Sequence, residues 1–243
     1  MRALSASELL SIWERFSARR SDALALALLS VACDDTPVSE LAQLAIGARD
    51  SRLLELRERT FGSHFAAVVE CPACSRALEL TFEAADIRVS AQPQCPQGLM
   101  VERDGYSARF RLPNSLDLAE VSTVSGPSPR RRLFERCVLE AHRGKQAIDA
   151  AALPESFANH VAETMAEQDP QATIELAMNC QQCSHAWNAL FDIVSFFWSE
   201  IQAWSVRMLR DVHELASAYG WREADVLALS PARRQIYLDL IHA

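Results

Sequence analysis

Along the first 60 residues, apolar and polar positions alternate with the period of a helix. Leu9, Leu10, Ile12, Trp13 and Phe16 form one stripe behind Ser5-Ala6-Ser7-Glu8. That tetrad is a capping box, in which the serine hydroxyl takes the third helical amide and the glutamate reaches back to the cap. Further helical patterns cover Asp22 to Cys33, Val38 to Ile46 and Asp50 to Thr60. Thr36 reads as a cap with Pro37 in the first turn, and Gly47 reads as a helix stop.

At Phe65 the period shortens to two. Phe65 to Glu70 is one such run; in Arg76 to Glu83, Leu78, Leu80 and Phe82 alternate with Glu79, Thr81 and Glu83. Both runs predict strands with one buried face. Ala108, Phe110 and Leu112 predict a third strand, Ile174, Leu176 and Met178 a fourth, and Trp187 to Ile193 a fifth. One small antiparallel sheet is the simplest pairing. Between the third and fourth strands, Leu116 to Asp169 reads as helices broken at Ser125-Gly126-Pro127-Ser128-Pro129 and at Leu153-Pro154. After Ile193 a long stripe follows: Phe197, Ile201, Trp204, Met208, Val212, Leu215 and Tyr219. Gly220 stops it, Trp221 to Leu229 predicts a short helix, and Ser230-Pro231 opens the last one.

Composition adds limits. The 243 residues are 49% hydrophobic and 23% charged, an ordinary globular balance for one large domain or two small ones. The formal net charge of -8 argues against a protein whose work is to sit on phosphates. Arg130-Arg131-Arg132 and Arg233-Arg234 are the basic runs, and they fit solvated helix starts or contacts to an anionic partner better than DNA readout. No apolar stretch follows the first residues as in a secretory signal, so a cytoplasmic location is expected. Ala23 to Cys33 is too short to span a bilayer, and Ile193 to Trp204 is interrupted by polar residues, so no membrane span is expected.

Candidate chemistry lies in the seven cysteines, four of which form two C-x-x-C pairs. Cys71-Pro72-Ala73-Cys74 falls between the first two strands and Cys180-Gln181-Gln182-Cys183 between the last two. A C-x-x-C turn on a hairpin aims two thiolates the same way, so two facing knuckles supply the tetrahedral sulfur set that Zn(II) favours. About 105 residues separate the pairs, far more than the roughly 15 to 20 of a compact ribbon. The matching contexts, with Ser75 and Ser184 at equivalent positions, nevertheless point to a structural zinc site of Cys71, Cys74, Cys180 and Cys183. Buried cysteines acting as small hydrophobes, or a thioredoxin-type pair, are the alternatives; the latter should open a helix, whereas Arg76 to Glu83 continues as a strand. His185 could replace a thiolate. Cys33, Cys95 and Cys137 have no partner at ligand spacing.

The expected fold is therefore α+β: mostly helical, with a small antiparallel zinc-ribbon-like sheet split by a helical insertion. Its parts are an N-terminal helical region (1–60), the first half of the sheet (61–115), the insertion (116–170), the second half (171–193) and a C-terminal three-helix region (194–243). Glycine-rich phosphate loops, nucleophile elbows and H-E-x-x-H are absent from the sequence, so neither catalysis nor a small-molecule substrate is expected. Trp198, Trp204, Trp221, Phe196 and Tyr237 concentrate aromatic side chains near the C-terminus, where a partner surface is expected, core packing being the other reading.

One series of segments is distinctive. It runs through Arg52-Leu53-Leu54-Glu55-Leu56-Arg57-Glu58, the Cys71 knuckle with Leu78-Glu79-Leu80, Phe110-Arg111-Leu112-Pro113, and the Cys180 knuckle with His185-Ala186-Trp187. It ends in His213-Glu214-Leu215-Ala216, Tyr219-Gly220-Trp221 and Leu229 to Leu238, and its most specific part is Leu215 to Leu240. This resembles the baseplate-hub assembly chaperone family of T-even-type phages, in the larger zinc-knuckle form of contractile phage-tail-like injection systems. The resemblance implies a non-enzymatic assembly factor, chaperone or adaptor, whose partners are baseplate hub or tape-measure proteins. A permanent structural baseplate subunit and, less favoured, a zinc-ribbon nucleic-acid-binding regulator are the competing readings. Ser75 and Ser184 depart from the glycine that ribbon turns usually place there, which bears on zinc affinity.

Overall fold

A computed structural model describes residues 1–17, 23–89, 98–122 and 128–242. In chain order the elements are α1 (Ala6–Phe16), α2 (Leu24–Ala32), α3 (Val38–Gln43), α4 (Ile46–Phe61), β1 (His64–Glu70), β2 (Ala77–Glu83) and α5 (Ala84–Ile87). There follow β3 (Leu99–Arg103), β4 (Tyr106–Phe110), α6 (Ser115–Ser122), α7 (Pro129–Cys137), β5 (Val138–Arg143), β6 (Gln146–Ala147) and α8 (Glu155–Gln168). The chain ends with β7 (Ile174–Asn179), β8 (Ala186–Phe191), α9 (Ile193–Tyr219), α10 (Glu223–Leu227) and α11 (Pro231–His242). The fold is α+β, helical for the most part with small antiparallel sheets.

Local signals set the helix ends. At α1 the Ser5 hydroxyl accepts the Glu8 amide while the Glu8 carboxylate accepts the Ser5 N–H at 2.8 Å, the reciprocal pair that the sequence predicts. Gly220 ends α9 in the left-handed conformation. Gly47, read as a stop, instead sits in the first turn of α4. Its lack of a side chain serves a distant contact: the Gly47 N–H donates to Asp169 Oδ2 at 2.9 Å, and a Cβ there would lie 2.1 Å from the other carboxylate oxygen.

The expected single sheet is replaced by three among the described residues. β1 pairs with β2, β7 pairs with β8, and β3-β4-β5-β6 form a separate antiparallel sheet. The third expected strand, β4, joins this last sheet because its neighbour is β3, across an Asp104-Gly105 turn with both residues at positive φ (52° and 79°). That two-residue turn matches the right-handed twist of the strands it joins. The insertion expected to be helical accordingly supplies β5 and β6 along with α6, α7 and α8, and β4 belongs with it.

Three apolar cores hold these pieces. The first collects α1, α2, α4, the base of the two hairpins and the first half of α9, with Leu28, Leu29, Leu53, Leu54, Phe197 and Ile201 sealed from solvent. Phe110, Phe134, Phe157 and Val161 centre the second, between the four-stranded sheet and α7 and α8. Val212, Leu215, Val226 and Leu238 join the end of α9 to α10 and α11 in the third. No helix among the described residues is long and apolar enough to cross a membrane.

The two hairpins face each other, their half-buried positions turned inward: Leu78, Leu80 and Phe82 in β2, Trp187, Ala189 and Phe191 in β8. At their base Phe65, Phe82, Phe191 and Phe196 pack ring against ring, with centroids 5.0–5.9 Å apart. Arg57 lies over Phe65 at 3.7 Å. It forms a two-pronged pair with Glu200 (2.8 and 2.5 Å) and donates to the Gly62 carbonyl. α4, α9 and the first hairpin are thereby locked together, which fixes how the opposite ends of the hairpins meet.

Candidate metal centre

Those opposite ends carry the cysteines. In the first knuckle the Cys71 N–H donates to the Arg76 carbonyl at 2.9 Å and the Ser75 N–H to the Cys71 carbonyl at 2.8 Å. The second repeats both bonds at the same lengths: Cys180 N–H to the His185 carbonyl, Ser184 N–H to the Cys180 carbonyl. Ser75 and Ser184 occupy the left-handed region, with φ of 55° and 58°. This is the position at which glycine would sit without strain, and a side chain there costs roughly 1–2 kcal/mol. Two such turns with one geometry present two pairs of sulfurs to each other.

Cys71 and Cys180 are buried, and Cys74 and Cys183 face outward. Cys71 Sγ lies 3.7 Å from Cys183 Sγ, and Cys74 Sγ lies 3.7 Å from Cys180 Sγ. All four sulfurs fall within 4.8 Å of one another, a possible metal site. A disulfide would need about 2.05 Å. Four thiolates around a tetrahedral ion at about 2.3 Å would stand about 3.8 Å apart, so the donor set and its spacing fit such an ion. The sulfurs are unlike one another: N–H groups of Cys183 and Gln182 directed at Cys180 pull its thiol down to about 6. The His185 N–H lowers Cys183, but loss of solvent and the thiols of Cys74, Cys180 and Cys71 outweigh it and push Cys183 up to about 12. Four crowded sulfurs cannot all ionise together unless a cation sits among them.

The other candidates fall elsewhere. His185 stacks on Trp187, with centroids 5.8 Å apart, and stands outside the cysteine group. Cys33 caps α2; Cys137 is buried at the end of α7, where burial pushes its thiol up to about 12. Cys95 lies outside the described residues. Of the C-terminal aromatics, Phe196, Trp198 and Trp204 pack on the first core, while Trp221 and Tyr237 pack on the third, Trp221 stacked on Tyr219 and Tyr237 edge-on to both. The large hydrophobic side chains that α9 and α11 leave exposed are Val206, Leu209, Tyr219, Ile236 and Leu240. Arg234 is buried against Asp211 at 3.1 Å, a structural role that its place in a basic run does not reveal.

A sequence model of the family described as T4 bacteriophage base plate protein matches residues 17–198. The matched span holds both knuckles, the inserted unit and the start of α9. Residues 199–243, including the Leu215 to Leu240 stretch on which the chaperone resemblance rests most specifically, lie beyond it. No curated protein and no solved structure matches the chain.

Proposed function

Since the chain belongs to the T4 bacteriophage base plate protein family, we propose that it is a non-enzymatic assembly factor for a contractile tail or phage-tail-like injection system. It acts in the cytoplasm on the baseplate hub or tape-measure complex and binds neither nucleic acid nor a small-molecule substrate. Cys71, Cys74, Cys180 and Cys183 hold one Zn(II). Four thiolates close the coordination shell, so the ion supplies cross-linking and no open position for a reacting water.

The observation that carries the assembly reading is the C-terminal unit. Trp221 and Tyr237 pack within it, yet Ile236 and Leu240, one turn apart on α11, stay 59% and 62% exposed, and Val206 on α9 43%. Two exposed aliphatic side chains four positions apart on one helix face offer a partner protein an apolar contact. A chaperone must also release its client, and short helices joined by tight turns open more readily than a metal-stapled pair of hairpins.

The family description itself favours a second reading, a permanent baseplate subunit. Deletion of the gene followed by electron microscopy tests both: bare or absent tubes, restored by complementation, are expected, and normal numbers of contractile particles would reject either role. Mass spectrometry of purified particles separates the two, because a chaperone is missing from them and a subunit is present.

A further inference from the structure

An apolar groove runs between α7 and α8 with a volume of about 160 Å³, close to the size of cavity that accepts a single six-membered ring. Its floor is Phe134, Ala158, Ala162 and Met165, and Pro113 and Leu133 stand beside it. Along α8 the positions 158, 162 and 165 follow one helical face, and the two alanines keep that face low, so a second helix could approach closely.

The charge at the rim is uneven. Arg131 is fully engaged: it pairs with Glu135 at 2.9 Å, lies 3.6 Å from Glu155, and donates to the carbonyls of Ala150, Ala151 and Leu153. Arg130 lines the groove and is exposed, with no acidic partner among the described residues. It stands in the first turn of α7, next to Pro129. On a chain of net charge -8, an exposed arginine with no acidic partner among the described residues, set beside an apolar slot, is complementary to a carboxylate.

We infer that the α7–α8 groove docks an amphipathic helix of a baseplate or tail protein, with an apolar side chain seated on Ala158 and Ala162 and an adjacent Asp or Glu on Arg130. This rests on the reading of the chain as a baseplate assembly factor. The test co-expresses the full chain pairwise with each baseplate and tail protein encoded alongside it, with p-benzoylphenylalanine placed at Asn159 in the groove or at Val206 on α9. Light-driven crosslinks from Asn159 to an acidic helical segment of one partner are expected. Arg130→Glu should weaken that capture by about tenfold, and changing the partner's contacting acid to arginine should restore it. Ala162→Trp, which fills the slot, should remove the Asn159 crosslink; the exposed Arg130→Glu change leaves the core intact and guards against misfolding of the Trp variant. Capture retained with crosslinks from Val206 only, or unaffected by Arg130→Glu, overturns the groove and leaves the assembly reading standing. A crosslink to a second copy of this chain overturns the groove's assigned occupant, and failure to capture any of these proteins overturns both.

Discussion

Cys71 Sγ and Cys183 Sγ lie 3.7 Å apart although 112 positions separate them in the chain. The two knuckles thus close a loop that contains the whole inserted unit, and an ion held between them contributes folding free energy along with local rigidity. Cys74→Ser or Cys183→Ser should lower metal content and thermal stability together, by several degrees in Tm. Elemental analysis of protein purified without chelator should find one zinc per chain; a metal-free protein of unchanged stability would reject the site.

At the other end of the hairpins the restraint is the Arg57 and Glu200 pair, with the Arg57 side chain 2% exposed and that of Glu200 26%. Arg57→Met keeps much of the volume over Phe65 but strands a half-buried carboxylate and the Gly62 carbonyl. Breaking a buried pair from one side costs about 3–5 kcal/mol; the partial exposure of Glu200 brings the expectation down to about 2–4. The double variant with Glu200→Gln should recover part of the loss, since the orphaned charge is gone. Urea denaturation of the two variants measures this, and equal losses in both would show that charge pairing is not what holds the junction.

What the sequence made legible was local. The capping box at Ser5 and Glu8, the α9 stripe and the strand-knuckle-strand contexts each lie within one window of chain, and the cysteine quartet follows from two such windows. Gly47 looks like a helix stop in the sequence and is a point of close approach in the fold, because its partner Asp169 is 122 positions away. Asp104-Gly105 is a local hairpin signal that sets β3 beside β4 and takes that strand out of the zinc-ribbon half. Arg49, Arg57 and Arg234 are buried although their residue type suggests solvent; only tertiary partners decide that.

Gly47 gives a prediction whose sign decides between two effects. In an open helix interior Gly→Ala stabilises by roughly 1 kcal/mol. Here the new methyl would meet the Asp169 carboxylate at 2.1 Å and the Ala172 backbone at 2.9 Å, so Gly47→Ala should instead destabilise by about 1–3 kcal/mol, as overpacking does. Calorimetric scanning that returned a higher Tm would mean that Asp169 yields freely.

Ser205 should respond in the opposite direction. Its hydroxyl is completely buried in α9 and has no hydrogen-bond partner among the described residues, and an unmet buried polar group costs about 1–3 kcal/mol. Ser205→Ala removes that group, adds a better helix former and leaves only a small void. A gain of about 1 kcal/mol, or roughly 2–4 °C in Tm for a chain of this size, is expected; a loss would show that the hydroxyl is satisfied.

Asp117 sets part of the acid limb of stability. Its side chain is 1% exposed between Arg111 and Arg136. Burial alone would raise its carboxyl, but two hydrogen bonds from Arg111 at 2.5 and 2.8 Å, the Asn114 N–H and Arg136 more than offset this and hold it below the usual carboxylate range. A group whose folded value lies below its unfolded value of about 3.9 adds stability at every pH above the unfolded value and loses it as pH falls toward the folded one. Asp50 and Asp169 act in the other direction, since burial raises both, so the wild-type curve mixes opposing contributions and only a difference isolates Asp117. Asp117→Asn should cost about 2–3 kcal/mol at pH 7, and the gap to wild type should shrink below about pH 4, where the unfolded chain's carboxylate takes up a proton before the native one does. Unfolding curves collected from pH 7 down to pH 3 measure that gap directly; a gap of constant size would mean that shape at position 117, and not its charge, is what the two arginines recognise.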